Sequence, residues 1–211
     1  MRGGRKVKAV FPGGLSMGAL RGDVFPKPPT DTVDPTQDYD ELDCRLDFDD
    51  VRRYDLIGLG TAAAVVVPED VDIRDVLVNV ARFYAMESCG QCTHCREGTA
   101  WAYKIAQRIR ADAGRVVDLD LIVEVSQNMG MMPGMSICGL PDGAAWPLRT
   151  LVQKFRREFE QRIAAQPPDA AMRRIRATNA AAYELPVLEG RATRHEGGTF
   201  HTPLDVARPG S

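Results

Sequence analysis

An α+β fold is predicted for this chain: a small strand-bearing segment leads into a bundle of four helices, and an irregular tail follows. Three observations carry that reading. Val7, Ala9 and Phe11 alternate with Lys6 and Lys8 near the start, the period of two that marks a half-buried strand. After Asp70 the apolar residues change to helical spacing and keep it as far as Ile163. From Gln166 onward no sustained apolar period remains.

The first strand is closed by the Pro12-Gly13-Gly14 turn. Pro26 to Pro35 reads as loop, because each proline fixes its own φ and withdraws an amide donor. Gln37 to Asp50 holds seven acidic residues against one Arg, either a solvated acidic face or a docking patch. Thr61 to Val67, small residues and then three valines before Pro68, reads as a buried strand.

A helix is expected over Asp70 to Met86, with Ile73, Val76, Leu77, Val80 and Tyr84 on one side and acidic residues at the start, where the macrodipole favours them. A second starts near Arg96, carries Trp101, Ile105 and Ile109 inward, and ends around Ala113-Gly114. A third runs from Asp118 to Met129 with Leu119, Ile122 and Val123 inward, and is broken by Gly130, Pro133 and Gly134. The fourth begins near Ala145, with Pro147 in its first turn, and lines up Leu148, Val152, Phe155 and Phe159. Four such helices with short links imply an antiparallel bundle. The tail, residues 166–211, is read as extended or disordered, with a short helix over Ala170 to Ala182 and docking on a partner surface as the second reading.

The balance of 44% hydrophobic and 27% charged residues in a 211-residue chain is that of a globular protein. A formal net charge of -2 gives no electrostatic reason to expect nucleic acid or an anionic membrane as partner. The longest uncharged stretches, Leu56 to Pro68 and Ser126 to Pro141, fall short of the ~20 apolar residues that cross a bilayer. The basic segment Met1 to Val10 is followed by no signal-length apolar run, so a cytoplasmic, reducing setting is expected. There the five cysteines are read as metal or redox chemistry before disulfides.

Cys89, Cys92 and Cys95 form a C-x2-C-x2-C run, and Cys138 follows Cys95 after 42 intervening residues. A cubane needs one thiolate per iron, and a tight loop wraps three of its corners, so this 3+1 arrangement suits a four-iron cluster. Tetrahedral zinc on four thiolates is the alternative, although its usual signature is two C-x2-C pairs. Arg96 and the amides of the helix beginning there offer positive potential to an anionic cluster. Gly90 and Gly98 allow special φ angles or close backbone approach. His94 is read either as a hydrogen-bond donor toward the cluster or as a solvent-facing loop residue. Cys44 has no partner at ligand spacing and reads as a buried or half-buried thiol. His195 and His201 receive no role. No G-x-G-x-x-G, P-loop or nucleophilic triad pattern marks a nucleotide site or catalytic residue in the sequence.

Glu87-Ser-Cys89-Gly-Gln-Cys92-Thr-His-Cys95-Arg96-Glu97-Gly98 closely resembles the cluster loop of the flavin-bearing, NADH-oxidising subunit of respiratory complex I, the family of NADH-quinone oxidoreductase F subunits. Its relatives occur in NAD-linked hydrogenases and formate dehydrogenases. Ser136-Ile-Cys138-Gly-Leu with Gly143-Ala-Ala-Trp146-Pro147, Leu46-Asp-Phe48-Asp, Gly58-Leu-Gly60-Thr-Ala and the stretch Gly3 to Gly14 agree with the same family. The resemblance covers roughly residues 3–165. It implies a β-grasp domain over residues 1–66, a helical bundle over 67–165 with one [4Fe-4S] cluster on Cys89, Cys92, Cys95 and Cys138, and a tail over 166–211.

In such proteins FMN takes a hydride from NADH and passes electrons singly to this cluster, which relays them to clusters in neighbouring subunits. The resemblance therefore implies an electron-relay module. Its partners are a flavin- and NADH-binding polypeptide and further iron-sulfur subunits, peripheral on the cytoplasmic side of the inner membrane, with neither nucleic acid nor direct membrane insertion. Three departures stand out: the family's glycine-rich FMN and NADH domain is not found in these 211 residues, His94 stands where proline is usual, and the tail is long. A non-catalytic remnant, structural or assembly module holding a four-cysteine cluster or zinc, or a partner-subunit fragment of an NAD-linked hydrogenase or formate dehydrogenase, is the competing class, and a split or truncated gene product is a third.

Overall fold

Two short strands flank β1 (Val7–Pro12) in an antiparallel sheet of order β2-β1-β5, with β2 at Leu20–Arg21 and β5 at Ala64–Pro68. The computed structural model describes residues 5–22, 25–26, 38–39, 41–131, 134–167 and 169. Ala9 and Phe11 are wholly buried and Val7 is half-buried, as the alternation predicts. Register runs Ala9 to Arg21 on one side and Ala9 to Val67 on the other, with an irregularity between Val7 and Ala9 in the pairing to β5. Gly13, at φ +88, meets the loop before β5 so closely that a Cβ there would lie 2.1 Å from the Leu59 carbonyl oxygen, so the turn admits only glycine.

A second two-stranded piece pairs β3 (Phe25–Pro26) with β4 (Asp38–Tyr39). The proline-rich stretch expected to be loop lies outside the described residues beyond Pro26, as do the tail from residue 170, the short helix expected at 170–182, and His195 and His201. The short α1 (Asp50–Arg53) leads on to β5. That strand is not buried as predicted: Val65 and Val66 are 41% and 43% exposed, and only Val67 is buried. β5 is an edge strand, so the valines satisfy strand propensity without a layer to cover them.

Among the described residues five further helices follow: α2 (Ile73–Glu87), α3 (Thr93–Arg110), α4 (Val116–Met129), α5 (Leu140–Lys154) and α6 (Arg156–Ala164). Asp72 caps α2 by accepting from the Arg74 amide at 2.9 Å, and the stripe Ile73, Leu77, Val80, Tyr84 is buried. On α3 the inward face is Ala102, Ile105, Ala106 and Ile109, whereas Trp101 is 57% exposed. The expectation for Trp101 fails because a stripe drawn through i, i+4 and i+8 drifts around a helix of 3.6 residues per turn. Only its C-terminal members reach the core. Asp118 in the first turn of α4 is wholly buried and clamped by Arg108 at 2.6 and 3.0 Å, and the helix buries Leu119 and Ile122 with Val123 half-buried.

Two features of the last helices differ from expectation. α5 starts at Leu140, so Pro141 takes the tolerated first-turn position and Pro147 sits in the helix interior. The helix then breaks at Phe155, and Phe159 belongs to α6, although both rings are buried as predicted. Packing runs α2 on α3, α3 on α4, α4 on α5 and α5 back on α2. Ala9, Phe11, Ala19 and Val67 of the sheet join the helices in one continuous core.

A smaller cluster of Leu20, Cys44, Val51 and Leu56 lies beneath the acidic segment. Within that segment Glu41 is not solvated. It is buried, 3.1 Å from Lys154 Nζ, and accepts from the Arg21 amide at 2.7 Å.

Candidate metal centre

The cysteine run sits where α2 stops and α3 begins. Ser88 ends α2 with extended backbone, φ -61 and ψ 119, while its amide still donates to the Tyr84 carbonyl at 3.0 Å. The chain leaves the helix there. Gly90 takes φ +83, in the left-handed region that favours glycine, and folds the loop back toward α3. Cys92 occupies the N-cap of α3, and no acidic residue or capping side chain competes for the amides of its first turn. The positive end of the helix therefore faces the thiol loop.

The structure places the four predicted residues at graded depth. Cys95, in the first turn of α3, is buried; Cys92 is half-buried; Cys89 and Cys138 are exposed. The second segment closes onto the first through the Ile137 backbone N–H, which donates to Cys92 Sγ at 3.5 Å. Ser136 Oγ donates to the Cys138 carbonyl at 2.8 Å and shapes that turn. Burial pushes the Cys95 thiol above its ordinary range, and the nearby Cys138, Cys89 and Cys92 push it further, against a hydrogen bond from Ser88. All four sulfurs thus share one electrostatic neighbourhood.

Among the described residues no group of three or more His, Cys, Asp or Glu side chains converges on a single metal ion. A cubane asks for something different, one thiolate at each of four corners around an inorganic core. The donor set fits such a group: four thiols, two on the surface and one deep, with a helix N-terminus opposite the negative charge the group would bring.

Arg96 differs from its sequence-based reading. Its Nη1 donates to the Gly90 carbonyl at 2.8 Å and its Nε to Glu97 at 2.9 Å, so the guanidinium braces the left-handed turn and is balanced by a carboxylate. Gly98 carries the close approach expected of it: a Cβ there would lie 2.9 Å from the Met129 side chain on α4. His94 is half-buried in the first turn of α3 rather than solvent-facing in the loop. Among the described residues its Nε2 has no hydrogen-bond partner, and it lines a groove of about 530 Å³ with Trp101 and Met129.

Cys44 is buried well away from this loop in sequence and packing, and burial together with the Asp50 carboxylate pushes its thiol up to about 12. Sequence reasoning passed over Ser88, whose buried hydroxyl lies 3.3 Å from Cys95 Sγ. Its place directly before the first cysteine, at a helix end, was the available signal.

Comparison with known proteins puts this geometry in context. Residues 75–162 match the family described as the NADH-ubiquinone oxidoreductase-F iron-sulfur binding region. The chain is 38% identical over 157 residues to the mitochondrial NADH dehydrogenase [ubiquinone] flavoprotein 1 of Dictyostelium discoideum, an alignment that covers 74% of this chain and 29% of that protein. It is 34% identical over 167 residues to the NADH-quinone oxidoreductase F subunit of Rhodobacter capsulatus, covering 79% and 34% respectively.

Among solved structures, an NAD+-reducing [NiFe]-hydrogenase in the H2-reduced state superposes with a TM-score of 0.55 at 25% identity, covering 78% of this chain and 24% of that one. The chain thus spans about a third of the length of the curated relatives it matches. Residues 75–162, which hold all four cysteines of the loop pair, match the NADH-ubiquinone oxidoreductase-F iron-sulfur binding region, within a chain that is similar to part of the NADH-quinone oxidoreductase F subunits.

Proposed function

We propose that the chain holds one [4Fe-4S] cluster on Cys89, Cys92, Cys95 and Cys138 and serves as an electron-relay module of an NADH-oxidising complex of the NADH:quinone oxidoreductase type. The observation that carries this reading is the bond from Ile137 N–H to Cys92 Sγ, which seats the Cys138 segment on the C-x2-C-x2-C loop at the N-terminus of α3. When bound, such a group accepts and releases one electron at a time.

The chain's own residues do the holding and the shielding. Cys95 anchors from the buried side, Cys89 and Cys138 face outward toward a donor or acceptor, and the α3 amides counter the negative charge. No side chain of this polypeptide makes a bond to substrate in this scheme, and the FMN and NADH sites lie on a polypeptide or segment outside these 211 residues.

The same reading divides the chain into a β-grasp domain over residues 1–66, a four-helix bundle over 67–165 and a tail over 166–211. The three-stranded sheet built on β1 and the closed circuit of α2, α3, α4 and α5 support a strand-bearing part followed by a helical one, with β5 running past residue 66 to Pro68 and one core shared between the two. The partners are a flavin- and NADH-binding polypeptide and neighbouring iron-sulfur subunits, the assembly being peripheral on the cytoplasmic side of the membrane. No helix among the described residues is long and apolar enough to cross a bilayer.

The deciding experiment is anaerobic purification followed by iron, sulfide and zinc analysis, with electron paramagnetic resonance after dithionite reduction. About four irons and four sulfides per chain with a reduced-cluster signal are expected. Stoichiometric zinc without inorganic sulfide would replace the relay reading with a structural zinc site on the same cysteines.

A further inference from the structure

Ser88 is 1% exposed, and its hydroxyl lies 3.3 Å from the Sγ of Cys95. A buried hydroxyl without a partner is costly, and here the partner is a sulfur seven residues away rather than a backbone carbonyl of its own helix. The backbone holds the side chain in place, because the Ser88 amide remains bonded to the Tyr84 carbonyl while the chain turns extended at ψ 119. Between a thiol and a hydroxyl either atom can donate. A cysteine that ligates iron has lost its proton, so only the serine can then supply the hydrogen.

We infer that the Ser88 hydroxyl donates to the ligand sulfur of Cys95 and raises the reduction potential of the bound cluster; the inference rests on the cluster reading proposed above. A hydrogen bond to a ligating sulfur draws electron density from the iron and stabilises the more negative, reduced state. Two other sources of positive potential are constrained here. Arg96 is engaged by the Gly90 carbonyl and balanced by Glu97, and the Ile137 N–H reaches Cys92 over a longer 3.5 Å. Cys95 is also the most buried of the four cysteines, where a hydrogen bond competes least with water. Ser88 is therefore a positioning and tuning residue that acts through its neighbour.

The test compares Ser88→Ala, Ser88→Val and Ser88→Thr in the full 211-residue chain, purified anaerobically, with iron and sulfide content and a potentiometric titration followed by electron paramagnetic resonance. Valine and threonine differ here by the hydroxyl alone. Ser88→Ala and Ser88→Val are expected to keep four irons and lower the potential by about 59 mV, a tenfold change in a one-electron equilibrium, while Ser88→Thr stays with the unmodified protein.

Equal potentials for the valine and threonine variants, both fully loaded, would overturn the inference while leaving the cluster reading intact. Loss of the cluster from the alanine and valine variants with retention in the threonine variant would assign the hydroxyl to holding the ligand and support it. Loss from all three would make position 88 a packing site and overturn it. Absence of inorganic sulfide from the unmodified chain is a separate outcome, and it removes the cluster reading itself.

Discussion

The backbone N–H of Ile137 points at the Sγ of Cys92 across 3.5 Å, joining two loops whose residues are 45 apart in sequence. Three of the cysteines are local to one another, so any chain with this motif brings them together cheaply. The fourth is not, and the cost of closing such a span grows with its length. The scaffold meets that cost by packing α3 on α4 and α4 on α5, which returns the chain to the N-terminus of α3 just ahead of Cys138. The Arg108 clamp on buried Asp118 fixes the start of α4 and hence the direction of that return.

Ligand assignment gives the first prediction. Cys92→Ser and Cys138→Ser should each lose most of the iron and the visible absorption of the anaerobically purified protein. Cys44→Ser, in the separate cluster with Leu20, Val51 and Leu56, should lose neither. Iron and sulfide analysis of the three variants decides the matter, and equal iron in Cys92→Ser and Cys44→Ser would refute the assignment.

Close packing behind the loop gives the second. A methyl at position 98 would press on Met129 at 2.9 Å, and the atoms in its way include the methionine Cβ, which cannot swing aside. Gly98→Ala should therefore lower thermal stability, by about 1–3 kcal/mol for an overpacked helix contact, despite the better helix propensity of alanine. Met129→Ala removes the Cγ and Sδ, each 3.0 Å from that methyl, but keeps the Cβ, so the double variant should recover only part of the loss. A calorimetric double-mutant cycle that is strictly additive would show that the two residues do not meet.

Some of this architecture is legible in the sequence because its cause is local. The stripe Ile73, Leu77, Val80, Tyr84 repeats at helical spacing, and Cys89, Cys92 and Cys95 lie within seven residues, so neither needs the rest of the fold to be recognised. Other features depend on what comes to lie alongside. The valines of β5 look the same in sequence whether the strand is central or at an edge. Pro147 satisfies a first-turn rule that Pro141 had already met. Glu41 reads as one more carboxylate in an acidic run until Lys154, 113 residues later, is packed against it. Ser88 belongs to this second class, since its neighbour in space is set by the turn at Gly90.

The Glu41–Lys154 pair gives the third prediction. Both groups are buried, and burial pushes each toward its neutral form: the carboxyl upward, the ammonium downward. Lys154 also donates to the Tyr54 carbonyl at 2.7 Å, so it ties both the acidic segment, through Glu41, and the end of α1 to α5. Glu41→Gln leaves a buried cation without its counter-charge and should cost about 3–5 kcal/mol. Replacing both partners with apolar residues, as in Glu41→Leu with Lys154→Met, should recover much of that loss. Chemical denaturation of the single and double variants measures it, and a double variant as unstable as Glu41→Gln would contradict the desolvation argument.

Acid sensitivity gives the last prediction, and it turns on Asp72. Burial raises this carboxyl, but the side-chain and amide hydrogen bonds from Arg74 outweigh that effect and hold it at about 2, against 3.8 for an unperturbed aspartate. A group whose folded value is depressed stabilises the protein fully above its unfolded value and loses that contribution as pH falls through the folded one. The window is therefore from about 4 down to about 2. Allowing for the part of Asp72 that water still reaches, the amount at stake is on the order of 1–2 kcal/mol.

Asp72→Asn isolates the charge, because asparagine caps a helix N-terminus about as well as aspartate. The difference in stability between the variant and the unmodified protein should be largest near neutral pH and shrink steadily below pH 4. Release of any bound cluster by acid is common to both proteins and drops out of that difference. Denaturant melts from pH 7 to pH 2.5 give the curve, and a gap that stays constant with pH would mean that Asp72 acts as a cap alone, with its charge contributing nothing to the pairing with Arg74.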